Sequence, residues 1–185
     1  MKAKTLLLVL SSFLFSENLK IKYDVYVKFP YWIKIGEASF EENKNILEGR
    51  VDLKGILKGI SYLIPIKEKY TYKTIYGEKT IYYENGKAYE MDGKALDILS
   101  IIKNIKDSLV HGKEKNIDLK YRLFIGNRKR NLNIKLFKEG KEEIEVYGLP
   151  LIKEVKGKDI KNNIPVLLET SVYGIKFKGV LKNGY

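Results

Sequence analysis

The chain of 185 residues has no cysteine and one histidine, and these two shortages remove whole classes of chemistry. Without thiols there is no disulfide framework, no thiolate nucleophile and no cysteine to carry a bacterial lipoprotein anchor. A Ser–His pair would have to use His111, which falls where a helix is expected to end. An imidazolium is favoured there by the helix dipole alone, and no third orienting residue accompanies it. Zinc sites draw on several His or Cys ligands and are excluded on the same count. Glycine loops spaced for phosphate are missing too, since "GKDIKNN" and "DGKALD" lack the spacing. No metal, no cofactor and no catalytic group are therefore expected.

Arginine is scarce as well. Only Arg50, Arg122, Arg128 and Arg130 occur, so lysine supplies 31 of the 35 basic residues against 23 acidic ones. The formal net charge is +12. Readers of nucleic acid lean on arginine forks, and only "NRKR" (127–130) clusters them here. Elsewhere lysine alternates along strands, as in "LKIKYDVYVK", which is how a solvated sheet face is written. Nucleic acid is not expected as a partner; a transient anionic membrane surface is compatible with the charge.

No uninterrupted apolar run approaches the roughly 20 residues of a membrane-spanning helix. The N-terminus instead has Lys2 and Lys4, an uncharged stretch from Thr5 to Phe15, then Ser16 and polar chain. That is the layout of a secretory signal peptide over residues 1–16, with a buried strand as the alternative. Leu14 is not the small residue usual two places before a cleavage point. Removing residues 1–16 leaves 33 basic and 23 acidic residues over 17–185. The expected destination is the periplasm or the exterior, as one soluble domain. Its 44% hydrophobic and 31% charged residues fit a globular chain and not a disordered one.

Most of residues 17–185 alternates apolar and polar. Ile21, Tyr23, Val25, Val27 and Phe29 share one strand face, and "YWIKIGEASFEE" continues after Pro30 with a bend at Gly36. "NILEGRVDLKGIL", "IKEKYTYKTIY", "KTIYYE" and "KAYEM" follow, the last two joined by Asn85-Gly86, a two-residue hairpin signal. After residue 112 come "IDLKYRLFIG", "KRNLNIKLF", "KEEIEVYG", "LPLIKEVKG" and "IPVLLETSVYGIKFKGVL", the last broken at Gly174. The expected fold is mainly β: a single strongly curled antiparallel sheet, a half-barrel of about ten strands. The fourteen tyrosines sit on these strands and are accounted for by packing and cross-strand pairing.

One stretch breaks the pattern. Within "KALDILSIIKNIKDSLVHG", Ala95, Ile98, Leu99, Ile102, Ile105 and Leu109 recur at helical spacing, so a helix is expected over 94–110. Lys103, Asn104, Lys106 and Asp107 cluster away from that stripe as a polar side. Asp92 can cap its start, and helix capping accounts for Asp92 and Asp97 better than acid–base catalysis does. Such a helix needs a concave apolar surface, which a curled sheet supplies.

Three segments carry a resemblance. They are "YDVYVKFPYWIKIGEASFE" with its Ile-Gly-Glu-Ala turn, "ENGKAYEMDGKALDILSIIKNIK" with Asp97-Ile98-Leu99-Ser100, and "NNIPVLLETSVYGIKFKGVL". In this order they resemble the bacterial family called domain of unknown function 3108. That family has proline where Ile98 stands and Leu-Pro where Ile164-Pro165 stands. The resemblance implies a fold similar to the periplasmic lipoprotein carriers, curled sheets whose helices plug an apolar cavity. It carries over no catalytic or binding residues. On this reading the expected function is an exported, non-catalytic carrier for a lipid, acyl chain or lipidated partner. Its cavity candidates are Phe29, Trp32 and Ile35 on the first hairpin and Ile98, Leu99, Ile102 and Ile105 on the helix. Trp32 either lines that cavity or closes a sheet edge. The rival expectation is a structural or assembly factor that binds protein by its sheet edge and fills its hollow with its own helix. An enzyme acting on envelope polymers is the third reading.

Overall fold

The computed structural model describes residues 19–53, 69–91, 93, 95–111, 116–125, 128–139, 143–148, 154–161, 164–172 and 174–182. The leader-like residues 1–16, the apolar corner at 58–65 and Asp92 lie outside them. The strands are β1 (Leu19–Phe29), β2 (Tyr31–Asn43), β3 (Ile46–Leu53), β4 (Lys69–Ile75), β5 (Thr80–Glu84), β6 (Lys87–Met91), β7 (Asn116–Ile125), β8 (Arg128–Glu139), β9 (Glu143–Tyr147), β10 (Glu154–Lys161), β11 (Ile164–Val172) and β12 (Ile175–Leu181). A helix, α1 (Ile98–His111), separates β6 from β7.

All twelve strands belong to one sheet, in the order β6-β5-β4-β3-β2-β1-β12-β11-β10-β9-β8-β7, and the twelve ladder strands pair antiparallel throughout. The count is twelve where the alternation suggests about ten. Residues 149–153 of "LPLIKEVKG" lie outside the described residues, and β10 runs from Glu154 on to Lys161, four residues past that segment, through a stretch with few apolar residues to mark it.

The strand order has a consequence for the helix. β1 and β12 meet in the middle of the sheet, each arm grows outward by hairpins, and the two halves end at β6 and β7. The β6–β7 link must therefore run from one sheet edge to the other, and α1 is part of that link. Curling brings these edges together without closing the sheet. Tyr89 of β6 meets Phe124 of β7 edge-on at 5.8 Å between ring centroids. Leu96, just before α1, forms an isolated parallel bridge with Leu123: its amide donates to the Arg122 carbonyl and its carbonyl accepts from Phe124, both at 2.8 Å. Tyr72, Tyr82 and Tyr89 stack in sequence at 6.4 and 6.2 Å, so an aromatic row crosses β4, β5 and β6 and ends on Phe124.

Local chemistry fixes the curl at identifiable points. The β1–β2 register shifts between Val25 and Tyr26, opposite the bend at Gly36. A Cβ at Gly36 would overlap the Asp52 carbonyl oxygen and approach Leu53 Cα to 2.7 Å, so only glycine lets β2 and β3 come this close. Asn85 and Gly86 both have positive φ (51° and 82°), as a tight primed turn requires. Tyr23 of β1 is fully buried, lies over Gly179 of β12, and donates its hydroxyl to the Pro165 carbonyl of β11 at 2.8 Å. Burial raises its pKa.

The two faces are sharply different. The concave face holds Ile21, Tyr23, Val25, Phe40, Val51, Tyr70 and their neighbours. Outer-face lysines pair with carboxylates, as in Lys34–Asp24 at 2.8 Å, Lys73–Glu48 at 2.8 Å, Lys158–Glu169 at 2.8 Å and Lys182–Glu37 at 2.6 Å. Such exposed pairs contribute little stability each.

Candidate functional site

The helix and the hollow that receives it form the most elaborated site. It starts at Ile98, four residues later than its apolar spacing suggests, because Ala95 and Leu96 are spent on the approach to β7 and the Leu96 bridge. Asp97 is the cap. Its Oδ1 accepts from the backbone amides of Leu99 (2.9 Å) and Ser100 (3.1 Å) and from the Thr74 hydroxyl of β4 (2.8 Å). Its Oδ2 accepts from the Ser100 hydroxyl at 2.6 Å, and Ser100 Oγ also lies 2.6 Å from the Tyr76 hydroxyl. The carboxyl group is only 1% exposed yet fully engaged, so one residue both caps α1 and ties it to β4.

One turn further on, ions replace this cap. Glu42 of β2 is buried on the concave face, in phase with Ala38 and Phe40. One carboxylate oxygen accepts from Lys103 Nζ at 2.5 Å, and the other pairs with Lys106 Nζ. Asp107 lies 3.2 Å from Lys103 and 3.5 Å from Lys106. Burial works to lower the Lys103 pKa, but the bonds to Glu42 and Asp107 outweigh it and leave the group raised. Lys106, with 4% exposure, is a buried cation facing two carboxylates.

Between cap and clamp lies the apolar part. Ile98, Leu99, Ile101, Ile102 and Ile105 are all buried, and every residue from Ile98 to Ser108 is buried or half-buried. The polar side expected for solvent is turned inward or half-covered. Leu99 and Ile101 have 0% accessible area and Ile102 has 1%. A void large enough for water would leave its lining with accessible surface, so these side chains border none.

The seven cavity candidates fall in two places. Ile98, Leu99, Ile102 and Ile105 come together, and Ile35 (1% exposed) belongs to the same core cluster. Phe29 and Trp32 lie apart from them. Phe29 is at the far end of β1 and 64% exposed. Trp32 pairs with Lys28 across the hairpin on the outer face, where its ring sits 6.0 Å from Lys28 Nζ and 4.5 Å from Lys178 Nζ. Two of the seven line recesses among the described residues: Ile35, with Lys34, Gly36 and Asp52, borders one of about 370 Å³, and Trp32, with Glu169 and Lys176, borders one of about 250 Å³; another of about 380 Å³ lies over β3–β5 beside Arg50, Lys73 and Tyr83.

Glu42, Thr74, Ser100, Lys103 and Lys106 are the site residues that the sequence reading passes over. Two carried a signal. Glu42 stands at an apolar phase of its strand, and Lys106 stands at i+4 from Ile102 on the stripe of Ile98 and Ile102. A carboxylate and an ammonium each at an inward position anticipate a buried pair.

No family model and no curated protein matches the chain, so the resemblance to the 3108 family stands on its motifs alone. A crystal structure described as a beta-barrel-like protein of domain of unknown function DUF1849, from Brucella abortus, is similar at 11% sequence identity and a TM-score of 0.46, over 90% of this chain and 98% of that one. Among the described residues the chain forms one open twelve-stranded antiparallel sheet and one helix in its hollow.

Proposed function

We propose that this is an exported, non-catalytic binding or assembly protein of the bacterial envelope, with residues 1–16 as its leader and its hollow filled by its own helix. One observation carries the reading: α1 is held at its start and again at mid-length by contacts to the sheet, Asp97 to Thr74 and Lys103 and the buried Lys106 to Glu42. A lid meant to leave would have to break a cap and part the buried Glu42 from both lysines each time, a cost of several kcal/mol. Partners then meet the outside of the domain, its rim or its sheet edges, and the buried carboxylates serve structure and not proton transfer. The Asp97-Ile98-Leu99-Ser100 motif supports membership of the 3108 family, since in this chain it is the cap that seats the helix.

A second reading keeps the carrier idea. The wide apolar stripe of α1 could be exchanged for an acyl chain of a lipid or lipidated protein if the helix withdrew. Paired measurements on wild type and Ile102→Ala separate the two. A helix that is permanent core should lose about 2–5 kcal/mol of unfolding free energy on truncation, with no saturable binding of a fluorescent fatty acid by either protein. Saturable binding that changes with the substitution, at small stability cost, would replace the proposal with the carrier.

A further inference from the structure

Among the described residues the large hydrophobic side chains left exposed are Phe29, at 64%, and Tyr31, at 80%. They are not scattered. They are cross-strand partners at the tip of the β1–β2 hairpin, with the exposed Pro30 between them. Isolated exposed apolar residues need no explanation, but two large ones projecting from one rigid turn form a compact apolar point.

Behind the point stands a collar of aromatic rings and cations. Trp32 follows Tyr31 directly, flanked by Lys28 and Lys178, and Lys178 also lies 5.2 Å from the Tyr26 ring. Several outer-face lysines have carboxylate partners, whereas Lys28 and Lys178 make their described contacts with rings. Glu169, the cross-strand neighbour of Lys178, is engaged by Lys158 at 2.8 Å. The exposed Lys176 is two residues away on the same face of β12. An apolar tip, then Trp and Tyr, then unneutralised ammonium groups is the sequence of environments met on entering an anionic bilayer from inside to out.

We infer that the β1–β2 hairpin tip, Phe29-Pro30-Tyr31, is an interfacial anchor that seats this domain on an anionic lipid surface, with Lys28, Lys176 and Lys178 facing the headgroups. The inference deepens the envelope reading above and rests on it for access to a membrane. Charge complementarity selects a bilayer over an apolar protein groove: the collar is cationic, and a groove would have to bury ammonium groups already committed to ring faces. The contact is shallow and reversible, because one Phe and one Tyr supply limited apolar area.

The chain supplies its own probe, since Trp32 is its one tryptophan and adjoins the tip. The full-length protein is mixed with vesicles of phosphatidylglycerol and phosphatidylcholine, and separately with phosphatidylcholine alone. Co-sedimentation with the anionic vesicles is expected, with a blue shift of Trp32 emission and quenching by lipids brominated near the headgroup. Phe29→Ser/Tyr31→Ser should weaken partitioning about tenfold or more without lowering Tm. Lys28→Ala/Lys178→Ala should weaken it on anionic vesicles and reduce its salt sensitivity. Failure of wild type to bind anionic vesicles, unquenched Trp32, or unchanged binding by the tip variant would each overturn the inference. A dimer at sedimentation equilibrium that the tip variant disperses would overturn it too, assigning the tip to a second copy of the chain. The quenching result on wild type stands even if a variant folds poorly. None of these readings depends on fatty-acid binding, so the anchor and the filled-interior reading can fail separately.

Discussion

The hollow of the sheet and the tip of its first hairpin break the same rule in opposite directions. Inside, Glu42, Asp97 and Lys106 are ionisable and buried; at the tip, Phe29 and Tyr31 are apolar and exposed. The inner groups are all matched: Asp97 accepts from two amides and two hydroxyls, and Glu42 meets two ammonium groups. The outer pair have no such matching within the described chain. A residue in the wrong environment but fully partnered is holding the fold together. One in the wrong environment without a partner is a candidate for contact with something else. Being partnered, more than polarity, separates structure from function here.

Substitutions can break that contrast from its stronger side. Glu42→Ala should have the largest effect, about 3–5 kcal/mol of unfolding free energy by denaturant titration, because it leaves the buried Lys106 and the half-buried Lys103 without their shared carboxylate. Glu42→Leu/Lys106→Leu should recover much of that loss, since replacing both members of a buried pair with apolar groups is often neutral or better. If the double substitution is as damaging as the single one, the ions are doing more than neutralising each other. Asp97→Ala should come next, at about 1–2 kcal/mol for the lost cap plus the cost of the unpaired Thr74 hydroxyl, and Asp97→Asn should retain part of it. Phe29→Ser/Tyr31→Ser should sit at the bottom of the series, within about 0.5 kcal/mol of wild type, while changing what the protein adheres to.

The same contrast explains what the sequence discloses. β1 is expected and found at Leu19–Phe29 because its alternation is local and unbroken. The Asn85-Gly86 turn is equally local, requiring only two residues that tolerate positive φ. The helix is legible by its period, but its first turn is not. Ala95 and Leu96 fit the helical stripe, and only a strand distant in sequence, β7, draws them into a bridge. Ile98, Leu99, Ile102 and Ile105 are found buried as their spacing suggests, since a wide apolar arc has few other places to go. Trp32 shows the opposite limit. Its face follows from strand parity, yet a cavity lining and an edge cover look alike until Lys178, from the other end of the chain, is placed over the ring. Lys103 reads as solvated for the same reason: the carboxylate that draws it toward the sheet is Glu42, some sixty positions earlier.

The central claim is that α1 is a permanent part of the core and not a lid. Native-state hydrogen exchange on the amides of Ile101 to Ser108 tests it directly, because each amide reports the free energy of the smallest opening that exposes it. The account predicts that these amides exchange only through global unfolding, with the same free energy and denaturant dependence as the central strands β1 and β12, and that Glu42→Ala lowers both together. Exchange of the helix through a cheaper opening, with β1 and β12 still protected, would show a helix that leaves the hollow while the sheet stays folded, and would contradict it.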